Sequence, residues 1–182
     1  MENSLQQSEI VKSPSTSVGA LLHDSSTDGP LYIRSATEGK VVLQDYKILD
    51  EFAKLAAESG QQTQEPSPVH FFAKDIYARW LEVSAGSWLA GRIHKFEHLF
   101  MLASGTAMIL GGGVKTHVTG PWMSVSPAGS QRFIFAETDI VICTFHPNAP
   151  STADNKDVMT CANGNEFFTY LKSTGQKVLG EN

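Results

Sequence analysis

The pattern of hydrophobic and polar positions separates a polar first part of the chain from a later part built of short apolar runs. From His70 onward, runs of β-forming residues alternate with turns rich in Gly, Ser and Pro. The runs are Ile76 to Val83, Ser87 to Ile93, His98 to Ala103, Ala107 to Leu110, Val114 to Val118, Trp122 to Ser126, Arg132 to Phe135 and Ile140 to His146. Short runs at such close spacing predict an all-β fold, an antiparallel barrel or double-sheet jelly roll, over residues 70–147.

The last of these runs is apolar on both of its faces between Ile140 and Phe145. One face of a barrel strand lines the interior, so the other face needs cover from a helix, from the preceding arm or from another subunit. We therefore predict a homo-oligomer, either a trimer or a dimer.

The part before the barrel, residues 1–69, is predicted to be an arm with one helix. Residues 1–30 have too few apolar positions to fold alone, and residues 31–43 are typical of two short strands around a Gly turn. Apolar residues recur at helical spacing in residues 45–59, and a Pro-containing linker, residues 61–68, leads into the barrel. The apolar stripe of the helix consists of Ile48, Leu49, Phe52, Leu55 and Ala56. Such a stripe packs on the barrel or between subunits.

A tail of residues 148–182 is predicted to follow the barrel. It contains one short helix, Asn165 to Lys172, whose Phe167, Phe168 and Leu171 anchor the end of the chain. The cysteines, Cys143 and Cys161, lack the spacing of a metal site and are predicted to be structural.

Charge and hydropathy exclude several classes of partner. The 182 residues carry a formal net charge of -5, with charges of both signs scattered along the chain, whereas nucleic-acid binding shows as clustered Lys and Arg. No apolar run approaches the length of a membrane span, and the first residues lack the regions of a signal peptide. We expect no nucleic-acid partner, no membrane partner and synthesis in the cytoplasm.

The strongest candidate for chemistry is the stretch from Gly91 to Gly105. Side chains two and four positions apart on a strand point to the same face, so Arg92, His94 and His98 share one surface if no bulge intervenes. Two imidazoles and a guanidinium on one face of a barrel predict a ligand-binding site.

This stretch resembles the first motif of the cupins, small β-barrels in which Gly, two His, a Glu and a second Gly follow at set spacings. Counted back from Gly105, His94 matches the second family histidine, while Arg92 and His98 stand in place of the first histidine and the glutamate. The second motif is matched by Ser126 to Arg132, with Pro127 and Gly129 in register and Arg132 in place of the third metal-binding histidine. The resemblance implies a single cupin-like barrel.

The histidine and arginine cluster allows three interpretations. A metal site would use His94 and His98 with a third donor, either His146 at the end of the last strand or Glu97. The same histidines could instead be hydrogen-bonded barrel residues, or the cluster of Arg92, His94, His98 and Arg132 could hold an anion or a sugar. Because guanidinium groups cannot ligate a cation and repel it, we expect no cofactor, with a divalent transition metal as the alternative. No residue is assigned a catalytic role.

Small cupin-like proteins encoded by tailed bacteriophages resemble the chain more closely, from His94 to His98, from Pro127 to Arg132 and in the strand ending at His146. That resemblance implies a non-enzymatic virion component, such as a capsid decoration protein, whose residues 1–60 dock on other virion or capsid proteins. A trimer would suit a capsid and a dimer would suit many cupins. The alternatives are a metal-dependent cupin enzyme of the dioxygenase or isomerase type, which uses His94 and His98, and a small-ligand or carbohydrate-binding module.

Overall fold

Two antiparallel β-sheets face each other across an apolar core and form an all-β jelly-roll barrel, as the sequence predicts. The computed structural model describes residues 40–43, 46–58, 67–111, 114–147 and 159–178. The polar segment 1–30 and most of the predicted strand pair in residues 31–43 lie outside the described residues. Where the chain is described before the first helix, Val41 bridges Val178 in parallel.

Within the described residues, eleven strands build the barrel and its margin. Their bounds are β1 Val69–Ala73, β2 Ile76–Val83, β3 Trp88–Ala90, β4 Ile93–His94, β5 His98–Ser104, β6 Thr106–Gly111, β7 Val114–Thr119, β8 Trp122–Ser126, β9 Phe133–Ala136, β10 Ile140–Pro147 and β11 Thr160–Cys161. One sheet has the order β1-β2-β10-β5-β8, the other has the order β3-β9-β6-β7, and β4 pairs with β11 as a separate ribbon. Every predicted run contains a strand.

Two strands were not predicted from the sequence. Strand β1 joins β2 through the short turn Lys74–Asp75, where Asp75 has a φ of 64°. Asp tolerates this left-handed conformation, so the turn signal was present but was not used. Strand β11 has two residues and forms only because β4 lies beside it, which is a long-range contact that no local pattern reveals.

The interior of the barrel has an apolar half and a polar half. On β10, Ile140 and Ile142 point inward into the apolar half, whereas Thr144 and His146 continue the same inward row into the polar half. The apolar half contains Leu81, Val83, Phe100, Leu102, Ala107, Ile109, Val118, Ile134, Ala136, Ile140 and Ile142. Since polar side chains are rarely buried without a purpose, the polar half is where a site is expected.

Among the described residues, α-helices Tyr46–Glu58 and Gly164–Thr174 flank the barrel. Helix α1, Tyr46–Glu58, lies within the predicted range and packs Leu49 and Ala56 with Phe133 of β9, whereas Phe52 and Leu55 of the predicted stripe remain 41% and 61% exposed. The stripe therefore packs on the barrel, but only in part.

Helix α2, Gly164–Thr174, contains the predicted C-terminal helix. Asn163 caps its start by accepting a hydrogen bond from the backbone N–H of Glu166, and Gly175 ends it in the left-handed conformation. Phe167 and Leu171 are buried, as predicted, whereas Phe168, the third predicted anchor, is 43% exposed and therefore does not anchor the helix on the barrel. Neither described helix is long and apolar enough to cross a membrane.

Replacing Gly105 by Ala is expected to destabilise the barrel more than replacing Gly86 by Ala. Both glycines have a positive φ, 82° and 77°, which costs an alanine about 1–2 kcal/mol. A Cβ at Gly105 would also clash with the backbone oxygen of Asp139 and with Ile140, whereas a Cβ at Gly86 meets no atom within 4 Å. Urea denaturation of both variants measures the difference, which we expect to exceed about 1 kcal/mol. Equal midpoints for the two variants would contradict this account of the β5–β6 turn.

Candidate metal centre

Three histidines from three strands meet in the polar half of the barrel. His94 lies on β4, His98 begins β5 and His146 lies near the end of β10. One ring nitrogen from each can be chosen so that all three lie within 4.8 Å of one another. The ring centroids are separated by 4.0 Å for His94 and His98, 4.7 Å for His98 and His146, and 5.2 Å for His94 and His146.

Strand register and one loop bring these residues together. Strands β5 and β10 are antiparallel neighbours, so the inward residues His98 and His146 lie at the same end of the sheet. The loop after β8 holds β4 in place, because the backbone N–H of His94 donates to Ser130 O at 2.9 Å and that of Gly129 donates to His94 O at 2.7 Å. Gly129 has a φ of 85°, and a Cβ there would meet the backbone oxygen of Val42. The Pro-Gly motif of the sequence thus positions one histidine of the cluster.

Each imidazole of the cluster has one buried ring nitrogen without a hydrogen-bond partner among the described residues. Nδ1 of His98 lies 3.2 Å from the backbone oxygen of Phe96, and since a carbonyl only accepts, Nδ1 carries the proton and Nε2 is left as a base. Nε2 of His146 lies 3.0 Å from the hydroxyl of Thr144, which leaves Nδ1 for another partner. Nε2 of His98 and Nδ1 of His94 and of His146 are buried without a hydrogen-bond partner among the described residues.

The surroundings keep the three imidazoles neutral. Burial, followed by the neighbouring His and Arg side chains, holds the pKa of His94 and of His98 well below the usual value. Burial and the charge of Arg79 lower the pKa of His146 to about 4. Neutral imidazole is the form that ligates a metal.

The donor set fits a divalent transition metal. Imidazole nitrogen suits Zn, Cu, Fe and Ni, and a site with three protein ligands leaves coordination positions open, as catalytic metal sites do. Buried polar atoms normally have partners, and a metal would give one to all three nitrogens. The cluster therefore argues against the expectation of no cofactor and favours its alternative. That expectation rested on Arg92 and Arg132, which stand in place of two metal-binding histidines of the cupin motifs. His146 instead supplies the third donor, from another strand.

The two predicted arginines lie in different surroundings. The guanidinium of Arg132 lies over the ring of Phe100, 4.6 Å from its centroid, and burial lowers its pKa to about 10. Arg92 lines a pocket of about 650 Å³ beside α2, with Lys95, Cys161 and Tyr170 among its walls. The structure thus brings Arg132 toward the histidines, whereas Arg92 faces the α2 pocket.

Sequence reasoning missed two residues of the polar half. Arg79 of β2 acts on the pKa of His94 and of His146, and Thr144 contacts His146. Arg79 shares the inward row of β2 with the buried Tyr77 and Leu81, so the period-two alternation of this strand was the signal that could have identified it.

Replacing Thr144 by Val is expected to weaken metal binding by about tenfold or more while the fold is kept. Valine has nearly the same shape but cannot hydrogen-bond to Nε2 of His146, and loss of a group that orients a metal ligand typically costs 10–100-fold in affinity. Competition with a chromophoric chelator measures the dissociation constant. Thr116→Val, on the exposed part of β7, is the matched control. Equal affinities for both variants would show that Thr144 does not orient the imidazole.

Comparison with known proteins finds similarity among solved structures alone. No protein-family model matches the sequence, and no curated protein matches it. Salicylate 1,2-dioxygenase from Pseudaminobacter salicylatoxidans is a similar solved structure, with a TM-score of 0.42 and 16% identity. The match covers 58% of this chain but only 36% of the dioxygenase chain.

Two smaller cupin structures are also similar. A cupin-2 domain containing protein from Shewanella frigidimarina matches with a TM-score of 0.39 and 18% identity, over 56% of this chain and 92% of that chain. The Cnp3 cupin domain from Schizosaccharomyces pombe matches with a TM-score of 0.41 and 15% identity, over 52% of this chain and 72% of that chain.

Proposed function

We propose that this protein is a metal-dependent cupin enzyme of the dioxygenase or isomerase type, whose divalent transition metal is held by His94, His98 and His146. The observation that carries the proposal is the meeting of three unpartnered, buried ring nitrogens from three strands. A buried polar atom without a partner costs about 1–3 kcal/mol of folding free energy. A metal that binds all three nitrogens removes this cost.

The residues around the cluster have separate roles in this proposal. Phe96 and Thr144 orient the rings of His98 and His146 through their contacts at 3.2 Å and 3.0 Å. When bound, the metal supplies a Lewis acid or redox centre with open coordination positions. The packed apolar half of the interior, where Ile142 and Leu102 are buried, fills the barrel beyond the site. A substrate of the metal would therefore have to bind in the polar half.

The test is metal titration of purified, chelator-treated protein with Fe²⁺, Mn²⁺, Co²⁺, Ni²⁺ and Zn²⁺. We expect one ion per chain and a Co²⁺ absorption spectrum typical of nitrogen ligation. Oxygen uptake by the Fe²⁺-loaded protein with a panel of hydroxylated organic acids then separates a dioxygenase from an isomerase. If none of these ions binds at micromolar concentration, the proposal fails and a binding module without metal becomes the better hypothesis.

The structural virion role gains no support from the described residues. It rested on the arm of residues 1–30, which lies outside them, and on a metal motif depleted by Arg92 and Arg132. The second argument fails because His146 completes the cluster. The comparisons include nothing that supports a phage affiliation. That affiliation, contacts of residues 1–60 with other virion proteins, and a virion location stay predictions.

A further inference from the structure

We infer that Arg132 binds the carboxylate of a small organic anion within the polar half of the barrel, beside the histidine cluster. As an assignment of substrate class, this inference rests on the proposed function, since the anion would be the substrate of the metal centre. As an assignment of a binding site, it rests on the contacts of Arg132 and on the charges around it.

The guanidinium of Arg132 has an incomplete set of partners. Its contact with the ring of Phe100, at 4.6 Å from the centroid, satisfies one face of the planar group. The five N–H donors at the edge of the plane donate to none of the described residues, and no carboxylate of these residues lies within 4.0 Å of the guanidinium. Arg132 is half-buried, and a cation partly withdrawn from water without a counter-charge is costly in a folded protein. An anionic ligand is the partner that the arrangement lacks.

The local charges also favour an anion. The charged groups that act on His94, His98 and His146 are Arg79, Arg132 and the imidazoles themselves, with no carboxylate among them. A divalent metal on neutral imidazoles would add two further positive charges. A neutral substrate would leave this charge uncompensated, whereas a carboxylate offers two oxygens that match the guanidinium edge in a bidentate pair.

Strand β8, which pairs with β5, carries two buried serine hydroxyls. Ser124 and Ser126 of β8 lie directly across from Phe100 and His98 in the register of the sheet, and they are 6% and 0% exposed. Neither Oγ has a hydrogen-bond partner among the described residues. Directly paired residues on antiparallel strands have Cβ atoms about 4.5–5.5 Å apart. Hydroxyl donors therefore flank the ring on which Arg132 lies, where they can donate to an anion or to its ordered water.

The experiment is isothermal titration of the protein with acetate and benzoate, and with acetamide and benzamide as neutral analogues of the same shape. Each is measured on metal-free protein and on Zn²⁺-loaded protein. We expect the acids to bind at least tenfold more tightly than the amides in both forms. Arg132→Met should remove at least tenfold of that affinity, which is the contribution expected of a charge-assisted hydrogen bond. Arg132→Lys, which keeps the charge but not the fork, should retain part of it.

Lys115→Met is the matched control, because it removes one positive charge from the exposed part of β7. Thermal melting confirms that each variant is folded. Acid binding that is equal in Arg132→Met and in wild type, or the absence of acid binding in wild type, would overturn the inference even if metal binds to the histidines. Acid binding that depends on Arg132 in a protein that binds no metal would support the anion site and defeat the proposed function.

Discussion

Replacing His146 by Ala is expected to reduce the bound metal from one ion per chain to none and to abolish the stabilisation that metal provides. At a free metal concentration 100 times the dissociation constant, binding to the folded state contributes about 2.7 kcal/mol. For a chain of this size, that corresponds to a rise in Tm of about 5–10 °C. The variant lacks one of the three metal ligands, so its affinity for the metal should fall by more than about 100-fold. Even the loss of a residue that only hydrogen-bonds to a metal ligand and orients it lowers metal affinity about 10–100-fold.

Metal analysis and thermal melting with and without Zn²⁺ measure both parts of this result. His117→Ala is the matched control, because His117 lies on the exposed face of β7, where its Nε2 is 2.6 Å from Glu137 Oε2. The metal-free variant should still fold, since it loses a side chain that carries an unpartnered buried nitrogen. A Zn²⁺-dependent rise in Tm of the same size in His146→Ala and wild type would show that the metal binds elsewhere.

The candidate ligands could be named from the sequence, but their convergence could not be derived from it. His94 and His98 were identified by their spacing, and His146 only as one of two third donors. Whether His146 reaches the others depends on the pairing of β10 with β5, although 35 residues separate the end of β5 from the start of β10. Sequence spacing carries no information about such a pairing, because the register is set by the packing of the whole sheet.

The position of Arg92 shows where the alternation of inward and outward side chains no longer predicts which way a residue points. The rule that residues two apart share a face holds within one continuous strand. Here β3 ends at Ala90 and β4 pairs with β11 instead of continuing in the same sheet. The break places Arg92 in the wall of the pocket beside α2. The unbroken strand β10, by contrast, keeps its alternation along its whole length, and its inward and outward residues could be assigned as soon as one of them was known.

We expect the protein to be a homodimer in which the outer faces of the five-stranded sheets pack together, and Phe145→Asp to convert it to a monomer. Because Thr144 and His146 point inward, Val141 and Phe145 both lie on the outer face of β10. The apolar side chains of that face include Val69, Phe71, Ile76, Ala78, Trp80, Leu99, Met101, Met123, Val125, Val141 and Phe145. Phe71 and Ile76 are 53% and 52% exposed, and Leu99 and Met123 are 40% and 43% exposed.

A second copy of the chain is the occupant that fits this face. Uncovered apolar surface costs about 25 cal/mol per Å², and helix α1 covers the other sheet, where it packs on Phe133 of β9. Residues 1–30 contain too few apolar side chains to match the face. The charged side chain on the face is Glu82, which accepts a hydrogen bond from Trp80 at 3.3 Å. One face that packs against its own copy makes an isologous contact about a twofold axis, whereas a trimer needs two different faces, which favours the dimer over the trimer.

Sedimentation equilibrium at micromolar concentration measures the effect of Phe145→Asp. The carboxylate would be buried without a partner at the centre of the interface, where an unpaired charge costs several kcal/mol, so dissociation should be complete. Lys115→Asp, on the exposed part of β7 in the other sheet, makes a larger change of charge and should leave the dimer intact. A monomeric wild-type protein, or a Phe145→Asp variant that stays dimeric, would show that the outer face of this sheet is not the interface.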